Sequence, residues 1–160
     1  MTTVVCVWPP RGRQVGHAAV DVRGAAGAAY ISWWPTEEGK AADGTLKSGN
    51  TKSILLGVRG TRFTFEQDKS GEGGFEPTKV ALDGLDERAI IEWWRSFSER
   101  NWSLLNINCA QVAADALRAG GANNHVRGVN GWMSSWQATY WKPMEVLKFA
   151  LAVQSGLRSK

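Results

Sequence analysis

The sequence predicts an α+β fold of one domain over residues 1–160, a small antiparallel sheet packed against helices. Three observations predict it. The first half holds short apolar or alternating runs cut by Gly and Pro, and the second half holds stretches with apolar residues at helical spacing. With 43% hydrophobic residues in 160, one real core can be built, and nine Trp against 21% charged residues argue against disorder.

Taken in order, Val4 to Trp8 reads as a buried strand closed by Pro9-Pro10, and His17 to Val22 as a second, reached through the Arg11-Gly12-Arg13 turn. Ala29 to Trp34 makes a third, ended by Pro35. Thr36 to Asn50 is polar and rich in Gly and Lys, which predicts a loop. Ser53 to Val58 and Arg62 to Glu66 read as a strand pair, Ser70 to Gly74 as a loop, and Lys79 to Leu82 as a further strand. Asp86 is an expected N-cap for a helix through Ser96, with Ile90, Trp93, Trp94 and Phe97 as its apolar face.

Ser103 to Ile107 reads as a short strand running straight into a helix capped by Asn108 and stopped at Gly120 or Gly121. Cys109, Val112, Ala113, Ala116 and Leu117 form the apolar stripe of that helix. After an aromatic loop with Trp132, Trp136 and Trp141, Pro143 takes the first position of a last helix carrying Val146, Phe149, Ala150 and Val153 on one face.

Bulk properties narrow the function. The net charge is +4, but Arg11, Arg13, Lys52, Arg59, Arg62, Arg95, Arg118 and Lys148 are scattered among acids, so nucleic-acid binding is not expected. Cys6 and Cys109 are too few for a disulfide framework, which favours a reducing compartment or a free catalytic thiol. Met1 to Trp8 has no basic leader region and no apolar run approaches the ~20 residues of a membrane span. The expected location is the cytoplasm of the producing cell, or export without a cleavable leader.

The sharpest chemical feature is the thiol of Cys109 in the first turn of a helix that follows a strand. Free backbone N–H groups and the helix dipole there favour an anion, either a thiolate or the oxyanion of an acyl-transfer intermediate. Such a nucleophile needs a base, and the choices are His17 and His125. His17 lies on a strand between small residues, with Ala19 and Asp21 on the same face, whereas His125 lies in a loop; strands hold a site more rigidly, so His17 is preferred. The competing reading of Cys109 is a small core residue of the stripe, and of His17 a half-buried strand histidine.

Gly16-His17-Ala18-Ala19-Val20, Tyr30-Ile31-Ser32-Trp33-Trp34-Pro35 and Leu104-Leu105-Asn106-Ile107-Asn108-Cys109-Ala110 together resemble the circularly permuted papain-like cysteine hydrolases, which include lecithin retinol acyltransferase-like and NlpC-related enzymes. The resemblance implies a permuted papain-like fold with histidine before cysteine. It also implies a polar orienter on the strand after the histidine. Ser32 occupies that position, with Tyr30 and Trp34 on its face, although His, Asp or Asn is commoner there; Asp21 is the fallback. Asn108 or Asn106 could add a donor to the oxyanion hole, and Asn108 is equally well explained as a cap.

Serine-elbow, zincin, Walker and dithiol patterns are absent, so neither metal nor cofactor is expected. The expected substrate is a peptide, amide or ester, with hydrolysis or transfer to an amine both open. The size and pattern resemble bacterial effector toxins, which implies a cognate immunity or adaptor protein. A catalytically inactive binding module presenting Trp132 and Trp136 is the alternative.

Overall fold

The computed structural model describes residues 2–36, 57–97, 101–105, 107–126 and 141–159. Four antiparallel strands make the larger sheet, in the order β3-β2-β1-β6: β1 is Thr2–Trp8, β2 His17–Gly24, β3 Gly27–Ile31 and β6 Thr78–Leu82. A smaller antiparallel sheet joins β4 (Trp33–Pro35), β5 (Val58–Arg62) and β7 (Asn101–Trp102) in the order β4-β5-β7. The helices are α1 (Phe65–Gly71), α2 (Glu87–Ser96), α3 (Cys109–Ala119) and α4 (Pro143–Arg158), with a 3-10 turn at Ala122–His125. The α+β class and the sheet-on-helix arrangement are as expected.

The β1–β2 register sets the site's position. Trp8 pairs with His17 and Cys6 with Ala19, so the histidine stands at the start of β2, beside the Pro9–Gly16 connection. Gly16 has φ +79°, and a Cβ there would come within 2.6 Å of the Trp8 carbonyl oxygen, so only glycine delivers the chain to His17 in this path. The other face of β2 carries Ala18, Val20 and Val22 into the main core, where α3 and α2 cover it with Ala113, Leu117, Ile90 and Ile91.

The third strand is broken. Val20 to Gly24 pair with the residues up to Ile31, and the chain then passes at Ser32 into the smaller sheet, where Trp33 pairs with Arg62. Trp33 is fully buried against Gly60, whose hydrogen leaves room for the indole that any Cβ would overlap.

The expected strand at Arg62–Glu66 is a correction: the strand ends at Arg62, and α1 begins at Phe65. Thr64 and Gln67 form a capping box, the Thr64 hydroxyl accepting from the Gln67 amide and the Gln67 side chain accepting from the Thr64 amide. Two reciprocal caps outweigh the β-branched, aromatic look of Thr-Arg-Phe-Thr-Phe. The expected Ser103–Ile107 strand is likewise replaced by the two-residue β7 and a turn closed by the Ser103 amide on the Ile107 carbonyl. Residues 53–56 of another expected strand, the loop at 37–50, Asn106, Trp132 and Trp136 lie outside the described residues.

The helix starts follow their caps. Asp86 accepts from the Ala89 amide and opens α2; Pro143 sits in the first turn of α4, which buries Val146, Phe149, Ala150 and Val153. Asn108 opens α3, and Gly120 ends it where a side chain would strike Ile90. Among the described residues no helix is long and apolar enough to cross a membrane.

Candidate active site

Four elements bring their side chains to His17. Its ring is fully buried, and Nε2 lies 3.0 Å from Asp68 Oδ2 on α1 and 3.0 Å from Ser32 Oγ at the β3–β4 junction. The Ser32 hydroxyl donates to Asp68 Oδ1 at 2.9 Å, so its oxygen accepts from His17. An ionised carboxylate can only accept. Both contacts therefore require a proton on Nε2, and the network assigns Nε2–H.

Asp68 is itself fully buried and takes two further donors, the Tyr30 hydroxyl on Oδ2 at 2.7 Å and Trp34 Nε1 on Oδ1 at 2.5 Å. Strand alternation carried through the break at Ser32 explains why Tyr30, Ser32 and Trp34 all reach this carboxylate from one face. The Trp34 indole also stacks on the imidazole, with centroids 4.4 Å apart and planes at 18°. Trp8 closes another side at 5.7 Å.

The electrostatics follow from this packing. Burial by itself depresses the His17 pKa, but the Asp68 charge, then Cys109 and the hydrogen bonds to both, raise it to about 10. Burial pushes Asp68 the other way, yet the His17 charge and the hydrogen bonds from His17, Tyr30 and Ser32 hold it below the ordinary carboxylate value. Tyr30 is pushed far up by burial and by Asp68, and so stays a donor.

Cys109 is the other neighbour of the imidazole, close enough for both charge and hydrogen bonding to act on it. With Nε2 committed to Asp68 and Ser32, the nitrogen left to face it is Nδ1, which is buried and bonded to no nitrogen or oxygen of the described residues. Cys109 is the first residue of α3 and is 8% exposed, beside a His17, Ser32 and Asp68 that are sealed from solvent. The amides of Gln111 and Val112 are taken by the Asn108 side chain and carbonyl, whereas those of Cys109 and Ala110 have no acceptor within the helix.

The Asn108 side chain is a cap and a tether rather than a free donor. Its Oδ1 accepts from Gln111, and its Nδ2 donates to the carbonyls of Leu104 and Trp141, which uses both amide hydrogens. Of the two roles open for Asn108, helix cap and oxyanion donor, these bonds are those of the cap. Asp21, the expected fallback orienter, is ion-paired with Arg23 at 3.2 Å at the surface. His125 sits in the 3-10 turn against α4, where Gly156 leaves room for its backbone. Cys6 is a free, buried thiol beside Trp8 and Ala19, and burial pushes it up to about 12. Among the described residues no three His, Cys, Asp or Glu side chains gather as a metal-binding set.

Asp68 stands in no motif of the sequence analysis, yet it is the carboxylate that meets His17. The available signal was the Thr64-Phe65-Glu66-Gln67 capping box, which predicts a helix start four residues before it.

Comparison with known proteins adds a lineage. No solved structure matches the chain. Two curated relatives are multifunctional-autoprocessing repeats-in-toxin proteins: that of Vibrio cholerae serotype O1 is 28% identical over 96 residues, and that of Vibrio vulnificus 28% identical over 97. Each alignment covers 58% of this chain, which spans 2% of the length of those relatives. The family model of the IcsB middle domain matches residues 56–160, a stretch that holds Asp68 and Cys109 while His17 and Ser32 precede it. With well over half its length matched, the chain belongs to the IcsB middle-domain family.

Proposed function

We propose that this chain is a cysteine-dependent acyl-transfer enzyme of a bacterial effector toxin, a permuted papain-like hydrolase or acyltransferase. Cys109 is its nucleophile and His17 its base. What supports the reading is the division of the imidazole: Nε2 is tied to Asp68 and Ser32, Nδ1 is not, and Cys109 acts on the same ring from the start of α3. The similarity to the two Vibrio toxins supports the effector setting.

The mechanism follows from the donors and acceptors. The Cys109 proton passes to His17 Nδ1, giving a thiolate–imidazolium pair that Asp68 favours by its charge. The sulfur attacks the carbonyl carbon of an amide or ester, and the carbonyl electron pair moves to oxygen, where the Cys109 and Ala110 amides receive it. Collapse expels the amine or alcohol, which takes the Nδ1 proton, and leaves a thioester. Water or an amine, deprotonated by Nδ1, then releases the acyl group and regenerates the thiol. Water as acceptor makes a peptidase or amidase; an amine makes a protein acyltransferase.

The test is intact-mass analysis after incubation with peptidoglycan fragments, acyl-coenzyme A thioesters and small GTPases. An acyl adduct on the wild-type chain, or a Cys109-dependent mass change in a substrate, is expected, and both vanish in Cys109→Ala and His17→Ala. Equal turnover by Cys109→Ala overturns the assignment of the nucleophile, and a wild-type chain that changes no substrate and takes no adduct is a binding module.

A further inference from the structure

We infer that Trp34 is a positioning residue for His17, holding the plane of the imidazole and the carboxylate behind it with one side chain. The inference rests on the Cys109–His17 reading. Trp34 makes two contacts that a core tryptophan has no reason to combine: its ring stacks on the imidazole at 4.4 Å, and its Nε1 donates to Asp68 Oδ1 at 2.5 Å. Its neighbour Trp33 fills the core against Gly60 and Phe97 instead, with its Nε1 buried and unpaired. Adjacent residues of one strand are thus divided between packing and the site.

The geometry assigns the two contacts different effects. Stacking restricts rotation of the ring about its Cβ–Cγ bond, which keeps Nδ1 turned to α3. The indole N–H shares the Asp68 charge with Ser32 on Oδ1, and Tyr30 and His17 share Oδ2, so the carboxylate is held by donors on both oxygens. Removing one donor from a sealed carboxylate weakens its ionised form, and with it the imidazolium it faces. The titratable groups facing this pair are Cys109 from α3 and Tyr30 from β3, with Cys6 of β1 and Asp21 of β2 acting on the tyrosine.

The experiment is the pH profile of Cys109 alkylation by iodoacetamide, followed by intact mass in the full chain. Trp34→Phe keeps an aromatic ring and loses the N–H. A benzothienylalanine at position 34 replaces the N–H by sulfur in the same shape, which keeps the test decisive if the phenylalanine variant does not fold. We expect the acidic limb of the profile to move up by about half a pH unit or more in both, a roughly threefold slowing on the limb. Trp34→Leu should move the limb and also lower the plateau. A limb that stays in place in the benzothienylalanine protein reduces Trp34 to core packing and overturns the inference. The underlying reading fails differently: the wild-type profile would then coincide with that of His17→Ala.

Discussion

Asp68 and His17 are 51 residues apart in the chain and joined by a 3.0 Å bond between Oδ2 and Nε2, with neither side chain reaching solvent. A carboxylate this deeply buried is tolerable only because every donor around it is aimed at it. The pair is therefore a point at which stability and the proposed chemistry share the same atoms.

Asp68→Asn tests the chemical half. The amide keeps the size, removes the negative charge and offers N–H groups to an Nε2–H that needs an acceptor. Loss of Cys109-dependent turnover by roughly a thousandfold or more is expected, as for other carboxylates that orient a histidine base. Retention of turnover to within a few-fold would show that Ser32 suffices.

The pH dependence of stability tests the other half. His17 is raised from 6.5 to about 10, so its contribution is complete below about pH 6.5 and is lost as pH rises through 10. Asp68 is lowered from 3.8, so its contribution is present above that value and is lost as pH falls below it. Thermal unfolding midpoints should be highest between those limits and decline on both sides. Asp68→Asn should flatten the alkaline decline, because an imidazole without its counter-charge is neutral throughout.

Ser32→Ala and Asp21→Asn separate two candidate orienters. Ser32 contributes one neutral hydroxyl bridging Nε2 and Asp68, so its loss should slow turnover by about tenfold without abolishing it. Asp21→Asn removes only a surface ion pair with Arg23 and should leave kcat/KM unchanged. The reverse ranking in steady-state kinetics would refute the roles given to both.

The cysteines should label unequally. Cys6 is 2% exposed with its thiol pushed up to about 12, whereas Cys109 opens a helix beside an imidazole. Native protein at neutral pH should take one alkyl group, located on Cys109 by peptide mapping, and a second only in denaturant. Prior labelling of Cys6 would mean that β1 opens readily.

His125→Ala should retain activity that His17→Ala loses. The His125 backbone packs against Gly156 of α4, on an element separate from the strand that carries His17. Kinetics of the two variants with one substrate decide it.

The features legible in the sequence are local ones. Asn108 before an i, i+3, i+4 apolar stripe makes Cys109 the first residue of a helix, and Gly16 before alternating small residues makes His17 the first residue of a strand, because caps and periodicity act within a few residues. The tertiary structure alone decided which carboxylate meets the imidazole. Asp21 shares the strand face of His17, but four residues along a strand is about 13 Å, beyond any side-chain hydrogen bond. Asp68 is remote in sequence and arrives because the Thr64–Gln67 capping box starts α1 where it can dock beside the β3–β4 junction. Three side chains of one strand face, Tyr30, Ser32 and Trp34, then find a common acceptor that no period in the sequence reveals.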